Sequence, residues 1–384
     1  AEVGNIINEG GLDIIKMGSS LQSVSPEVLK AINRKNLSFD ELRVLHHNNV
    51  ESQNFTEFII PLPGETKKSF MNGLGKIVDD VKFNNIAVHH LELLKGSQIE
   101  TKDERLKHGL KSKFRVFEAC LGNYKFGDNI VPIAEIEEIA ISTNTMSYEE
   151  YNDLRALTLL IKIFIHGDTY KSIFEALRRN NIKSIDVLIQ ILEKTSYEFP
   201  KFKKILEDFI KAGKNKFFES KDELEKALLK PGAINHFING ELGQNELLTY
   251  RARALRKYYN DCTLVLKSAI KTITKKMNVD TPELWEYLNE AFKFCNYRKF
   301  DFIDMKDFEA NFLFDFIKAD ENNFDIEPKQ IRQNVKIKFY YENEKDIFKK
   351  HLTFYGNSND YEWGKIIQKM DWIRMRKRIK YANV

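Results

Sequence analysis

A chain of 384 residues, 42% hydrophobic and 30% charged, has globular composition and the length of roughly two or three domains. Its 60 Lys and Arg against 56 Asp and Glu leave a net charge of +4, a mixed surface that excludes a concentrated nucleic-acid footprint. No apolar run is long enough to span a bilayer, the N-terminus is not a signal peptide, and Cys120, Cys262 and Cys295 are too far apart for a CxxC pair or a disulfide framework, so a reducing, cytoplasmic compartment is expected.

The run LDIIKMGSS (Leu12–Ser20) is apolar and ends in small residues, which predicts a buried strand. Ser25-Pro26-Glu27 starts a helix, with Ser as cap and Pro at the first helical position. Ser38-Phe39-Asp40-Glu41 is a capping box for the next one. FTEFII (Phe55–Ile60) predicts a second strand, closed by PLPGET, and a helix follows from about Lys67 to Lys82. NIAVHHLELL (Asn85–Leu94) predicts a third strand. Strands and helices alternating at this spacing read as parallel βα units.

Past Thr101 the pattern changes. Ser147-Tyr148-Glu149-Glu150 is another capping box, opening a long helix, and helical periodicity continues to about Arg298. NVKIKFYY (Asn334–Tyr341) alternates as a strand. WIRMRKRIKY (Trp372–Tyr381) also alternates, with Arg374, Arg376, Arg378 and Lys380 on one side, which predicts a charged edge strand.

Metal and nucleophile signals are weak. Adjacent histidines on a strand point to opposite faces, so His89-His90 offers one inward ligand at best. His46-His47 falls at a helix end, and no HExxH spacing occurs. Asp301, Asp304, Asp307 and Glu309 lack the central Gly and terminal Glu of a Ca²⁺ loop and read as a solvated helix start.

SLQSVSPEVLKAINRKN, EFIIPLPGETKKSF and LELLKGSQI, in this order, resemble the second half of the radical S-adenosylmethionine (SAM) barrel. IEEIAISTNTMSYEEYNDLRAL looks like the subgroup with an N-terminal cobalamin-binding domain. The signature-bearing resemblance covers roughly the first 160 residues. It implies an α/β fold: a partial (β/α) radical-SAM-type barrel, later βα units only, in residues 1–110. A helical domain over 111–300 and a mixed α/β region with a few terminal strands over 301–384 complete the expected organisation.

By the same resemblance Gln22 and Glu57 would contact the ribose of SAM and Arg34 its methionine carboxylate, at the carboxyl ends of the strands. Gly64 in LPGET would let the backbone approach the adenine, and Leu91 to Leu93 would flank it. Glu57 stands where the family often has Asp, and Pro61 where a glycine is frequent. His89 or His90 would face the barrel interior.

The CxxxCxxC loop that holds three irons of the family's 4Fe–4S cluster is absent. The chain also opens AEVGNIINEGG, without methionine, and is expected to be the C-terminal part of a longer enzyme. That parent would use SAM, a 4Fe–4S cluster and cobalamin, receive electrons from a flavodoxin- or ferredoxin-type donor, and modify a small-molecule substrate, with no nucleic-acid or membrane partner. A non-catalytic helical scaffold with a βα segment is the alternative, and a βα enzyme using LPGET as a phosphate loop a third reading.

Overall fold

In FTEFII the side chains alternate between sheet faces, burying Thr56, Phe58 and Ile60 and leaving Phe55, Glu57 and Ile59 half-buried. This strand is the middle of a three-stranded sheet in a computed structural model that describes residues 18–47, 55–238, 241–370 and 372–382. The chain forms two units. One comprises the described residues up to Thr158 with Leu206–Leu247, the other Leu159–Ile205 with Leu248 onward.

The first unit begins with β1 (Gly18–Gln22), α1 (Pro26–Ala31), α2 (Phe39–His47), β2 (Phe55–Ile60), α3 (Lys67–Gly75) and β3 (Ile86–His90). The strand predicted from Leu12 is thus seen from Gly18, and its earlier residues lie outside the described ones, as do the side chains of His46 and His47. The strands run parallel in the order β1-β2-β3, with Ser20 opposite Glu57 and Ile59 opposite His89. Phe58 packs edge-on against Phe70 of α3, so helices cover the Phe58 face. Val28, Leu62, Leu91, Leu93 and Ala140 form an apolar cluster near the carboxyl ends of the strands, with Ile59 packed against it. Pro26 occupies the start of α1 as expected, although the Ser25 side chain makes no cap bond. The two capping boxes exist: Ser38 and Glu41 bond reciprocally, as do Ser147 and Glu150.

After α4 (Lys102–Lys107) comes an element that the sequence reading lacks, a long hairpin of β4 (Lys111–Phe126) and β5 (Asn129–Ser142). Its base extends the parallel sheet. Leu93 N–H donates to the Glu138 carbonyl at 2.9 Å and Ala140 N–H to the Leu91 carbonyl at 2.9 Å. The unit closes with α5 (Tyr148–Phe164) as far as Thr158 and the stretch from Leu206 to Leu247. Among the described residues no sheet closes into a barrel, and the fold is mixed α/β.

The second unit contains α6 (Lys171–Arg179), α7 (Ser184–Glu193), the first residues of α8 (Pro200–Lys214), and, past the first unit's α9 (Lys221–Leu228) and α10 (Ala233–Ile238), most of α11 (Glu246–Lys257), α12 (Tyr259–Lys276) and α13 (Pro282–Arg298). Then follow β6 (Phe308–Phe314), α14 (Phe316–Glu321), β7 (Arg332–Tyr340), α15 (Glu344–Tyr355), α16 (Asp360–Lys369), α17 (Trp372–Met375) and β8 (Arg378–Tyr381), the strands forming an antiparallel sheet in the order β6-β7-β8. Aromatic rings fill its core, with Phe294 stacked on Phe316 at 4.6 Å.

Two expectations are corrected here. Asp301, Asp304 and Asp307 precede a strand rather than a helix, because the Asp301 carboxylate accepts from the Ile303 and Asp304 N–H groups and folds that segment into a turn. Only the second half of WIRMRKRIKY is a strand. Its first half turns helical at α17, and β8 is an edge strand.

Candidate active site

The open face of the parallel sheet carries one polar row. Ser20 on β1, Glu57 on β2 and His89 on β3 share a face because the register pairs Ser20 with Glu57 and sets His89 beside it. The Ser20 hydroxyl donates to Glu57 Oε2, and His89 Nε2 lies 3.3 Å from Glu57 Oε1. The row is open to water, with the His89 side chain 55% exposed and that of Glu57 32%. Alternation sends His90 the other way, to bond the Tyr151 hydroxyl through Nδ1 at 2.6 Å.

Arg34 lies beyond α1 and donates to the Ser20 carbonyl, with its Nε 3.4 Å from Asn36 Oδ1. The Asn36 amide in turn donates to the carbonyls of Leu21 (3.0 Å) and Ser23 (2.7 Å), which fixes the chain as it leaves β1. Within that turn Gln22 adopts a positive φ of 60°, at a register shift between Ser20 and Gln22. Among the described residues the Gln22 amide has no hydrogen-bond partner and Arg34 no carboxylate partner. Arg34 and Glu57 therefore both meet Ser20 near the end of β1, and Gln22 follows Ser20 by two positions on that strand.

LPGET is held by its glutamate. Glu65 is buried, accepts from the Ser23 hydroxyl at 2.5 Å and from the Ser69 hydroxyl, and is raised in pKa chiefly by burial. Its carbonyl accepts from Thr145 Oγ1 at 2.8 Å. Gly64 adopts φ 79° with open space where a Cβ would stand, so its backbone conformation rather than crowding calls for glycine. Thr66 caps α3 in a reciprocal box with Ser69. Leu91 and Leu93 pack into the apolar cluster.

Beneath His90 lies a buried charged network that no sequence motif announces. Glu246 accepts from Arg155 and from Lys216 (2.5 Å), and Lys216 also reaches Glu118 at 2.8 Å. Burial alone would raise the Glu246 pKa, but the Lys216 and Arg155 charges outweigh it and hold it far below the carboxylate range. Burial, reinforced by Arg115, pushes His90 well below its usual value and keeps it neutral. Arg115 pairs with Glu137 across β4 and β5. Arg155 and Glu246 are 91 positions apart, a separation that no local pattern bridges.

The cysteines do not fit an iron–sulfur cluster. Cys262 and Cys295 are buried, and burial pushes the Cys295 thiol up to about 11 and that of Cys262 higher still. Among the described residues no three His, Cys, Asp or Glu side chains are grouped to hold a metal ion. Nor, among them, is any helix long and apolar enough to cross a membrane.

No protein-family profile matches the chain. It is similar to the 2-(S-pantetheinyl)-carbapenam-3-carboxylate methyltransferase of Streptantibioticus cattleyicolor, 27% identical over 156 residues, 39% of this chain and 22% of the relative. It is also similar to the cobalamin-dependent radical SAM methyltransferase TokK of Streptomyces tokunonensis, 27% identical over 177 residues, 41% of this chain and 25% of the relative. The matches thus span about a quarter or less of the length of these curated relatives, and the chain is related to the group distantly and over part of its length.

Proposed function

We propose that this chain is the SAM- and substrate-facing part of a methyltransferase of the cobalamin-dependent radical SAM kind. In this reading the parallel sheet is the later part of a (β/α) barrel, and the ligands of the 4Fe–4S cluster and of cobalamin belong to the parent protein outside this chain. The carrying observation is that a guanidinium and a carboxylate, Arg34 and Glu57, both meet Ser20 near the end of β1, with the Gln22 amide two positions on along that strand. These chemistries match the polar ends of SAM. Arg34, with no acidic partner among the described residues, suits a carboxylate, and Glu57 and Gln22 suit ribose hydroxyls.

Bound SAM supplies a methyl group, or on reductive cleavage a hydrogen-abstracting fragment. The chain's own residues bind and orient. Ser20 and His89 hold the Glu57 carboxylate from two sides, the Ser20 carbonyl steadies Arg34, and Gly64 keeps the LPGET backbone accessible. The methyl acceptor is a small molecule, the class named for one relative. The exposed apolar residues of the β4–β5 hairpin, Tyr124, Phe126 and Ile130 among them, favour the alternative of an interaction module.

Titration calorimetry with SAM separates the two. Arg34→Ala is expected to weaken binding most, by about 1.5–3 kcal/mol or at least about tenfold. Gln22→Ala and Glu57→Ala should weaken it less. No SAM binding by the chain, or undiminished affinity in all three variants, discards the SAM site.

A further inference from the structure

In the second unit a small cavity lies against α6, α13 and the segment after α17. Four cations line it, Lys171, Arg298, Lys299 and Arg376, against one carboxylate, Asp168. Lys171 is matched locally, 3.2 Å from Asp168 Oδ2 and bonded to Asn323. Arg298 gives both terminal nitrogens to Asp320, at 2.6 and 2.8 Å, and its buried Nε–H has no partner among the described residues.

Arg376 donates to two backbone carbonyls, those of Asp168 (3.0 Å) and Ile373 (3.3 Å), and has no carboxylate at ion-pair distance among the described residues. Burial and the Arg298 charge push its guanidinium down to about 10. The Lys299 ammonium lies 4.1 Å from the centre of the Tyr259 ring and makes no ion pair among the described residues. Asp168 and Asp320 pair directly with Lys171 and Arg298 and act on Arg376 only from a distance, as Asp301 does on Lys299, so two carboxylates are shared among the four cations. Positive charge left over in such a place is costly without a counter-charge.

We propose that this cavity is a binding site for one small monovalent anion of halide size, held by the Arg298 Nε–H, the Arg376 guanidinium and the Ser172 hydroxyl at the wall. Its free space of about 10 Å³ is that of about one small species. The orphaned Arg298 donor and the carboxylate-free Arg376 point to the same occupant. The cavity belongs to the second unit, and Gln22, Arg34 and Glu57 belong to the first.

Thermal unfolding of the full chain tests this in sodium chloride, sodium bromide and sodium gluconate at one ionic strength. Chloride and bromide should raise Tm saturably, by about 2–4 °C, and gluconate should not. Arg376→Gln should abolish the halide response and Arg376→Lys retain part of it. Should Arg376→Gln not fold, bromide-soaked crystals of the unaltered chain decide, with an anomalous peak expected beside Arg298 Nε. Equal Tm in chloride and gluconate, a halide response that survives Arg376→Gln, or a water in place of the bromide peak would each overturn the proposal.

Discussion

Glu246 shows how much a single side chain can organise. Two cations, Arg155 and Lys216, converge on it out of water, and their attraction overcomes the desolvation of its carboxylate. Glu246→Gln leaves Arg155 buried without its counter-charge and Lys216 with Glu118 alone, which should cost about 3 kcal/mol in urea unfolding. Glu137 behaves in the opposite sense. Burial, helped by the nearby Glu92 carboxylate, outweighs Arg115 and pushes its pKa from 4.5 up to about 7. Between those values the folded chain binds a proton that the unfolded chain releases. Its contribution is therefore complete below about pH 4.5 and lost as pH rises through about 7, on the order of 3 kcal/mol at most. Glu137→Gln should flatten the fall in stability between pH 5 and 8, even though it strands Arg115. An unchanged slope in denaturation at several pH values would place the proton elsewhere.

At the scale of elements, local chemistry was readable and long-range pairing was not. Capping boxes and the alternation of FTEFII lie within a few residues, so they appear in the sequence as they appear in the fold. The β4–β5 hairpin was missed although a signal was present. Phe126 pairs with Asn129 across Gly127-Asp128, a two-residue loop with Gly127 at φ 59°, which is a recognised hairpin dipeptide. Pro132 inside β5 and the disrupted register between Val116 and Leu121 masked the strand pattern. Context also reverses propensity in α8. Gly213→Ala would ordinarily gain about 1 kcal/mol in a helix. Here the Arg155 guanidinium fills the space a Cβ needs, so the methyl group must push it away from Glu246. The expected result is a loss of about 1–3 kcal/mol. A gain in thermal stability would show that Arg155 moves freely.

For the molecule as a whole, the order of the parallel strands followed from the sequence because each βα step is local. The face assignment of the histidines did not, since it depends on a register that sequence alone leaves open; the ladder now sets His89 beside Glu57 and turns His90 towards Tyr151. The buried network around Glu246 stayed invisible because its members come together only after folding. The cysteines carry the same lesson in reverse, for they look equivalent in sequence and are not so in the fold. Cys262 and Cys295 sit in the second unit's core with thiols that burial holds protonated, and a cluster needs several thiolates at one point. Cys120, half-buried in β4, belongs to the other unit. Anaerobic reconstitution of the full chain should therefore leave no stoichiometric 4Fe–4S cluster by iron and sulfide analysis, and no cluster signal by electron paramagnetic resonance after reduction. SAM titrations before and after that treatment should agree, because the contacts that join Arg34 and Glu57 through Ser20 involve no cysteine. A cluster that forms at full occupancy and disappears on Cys295→Ser would show that the second unit opens to iron, and would return cluster chemistry to this chain.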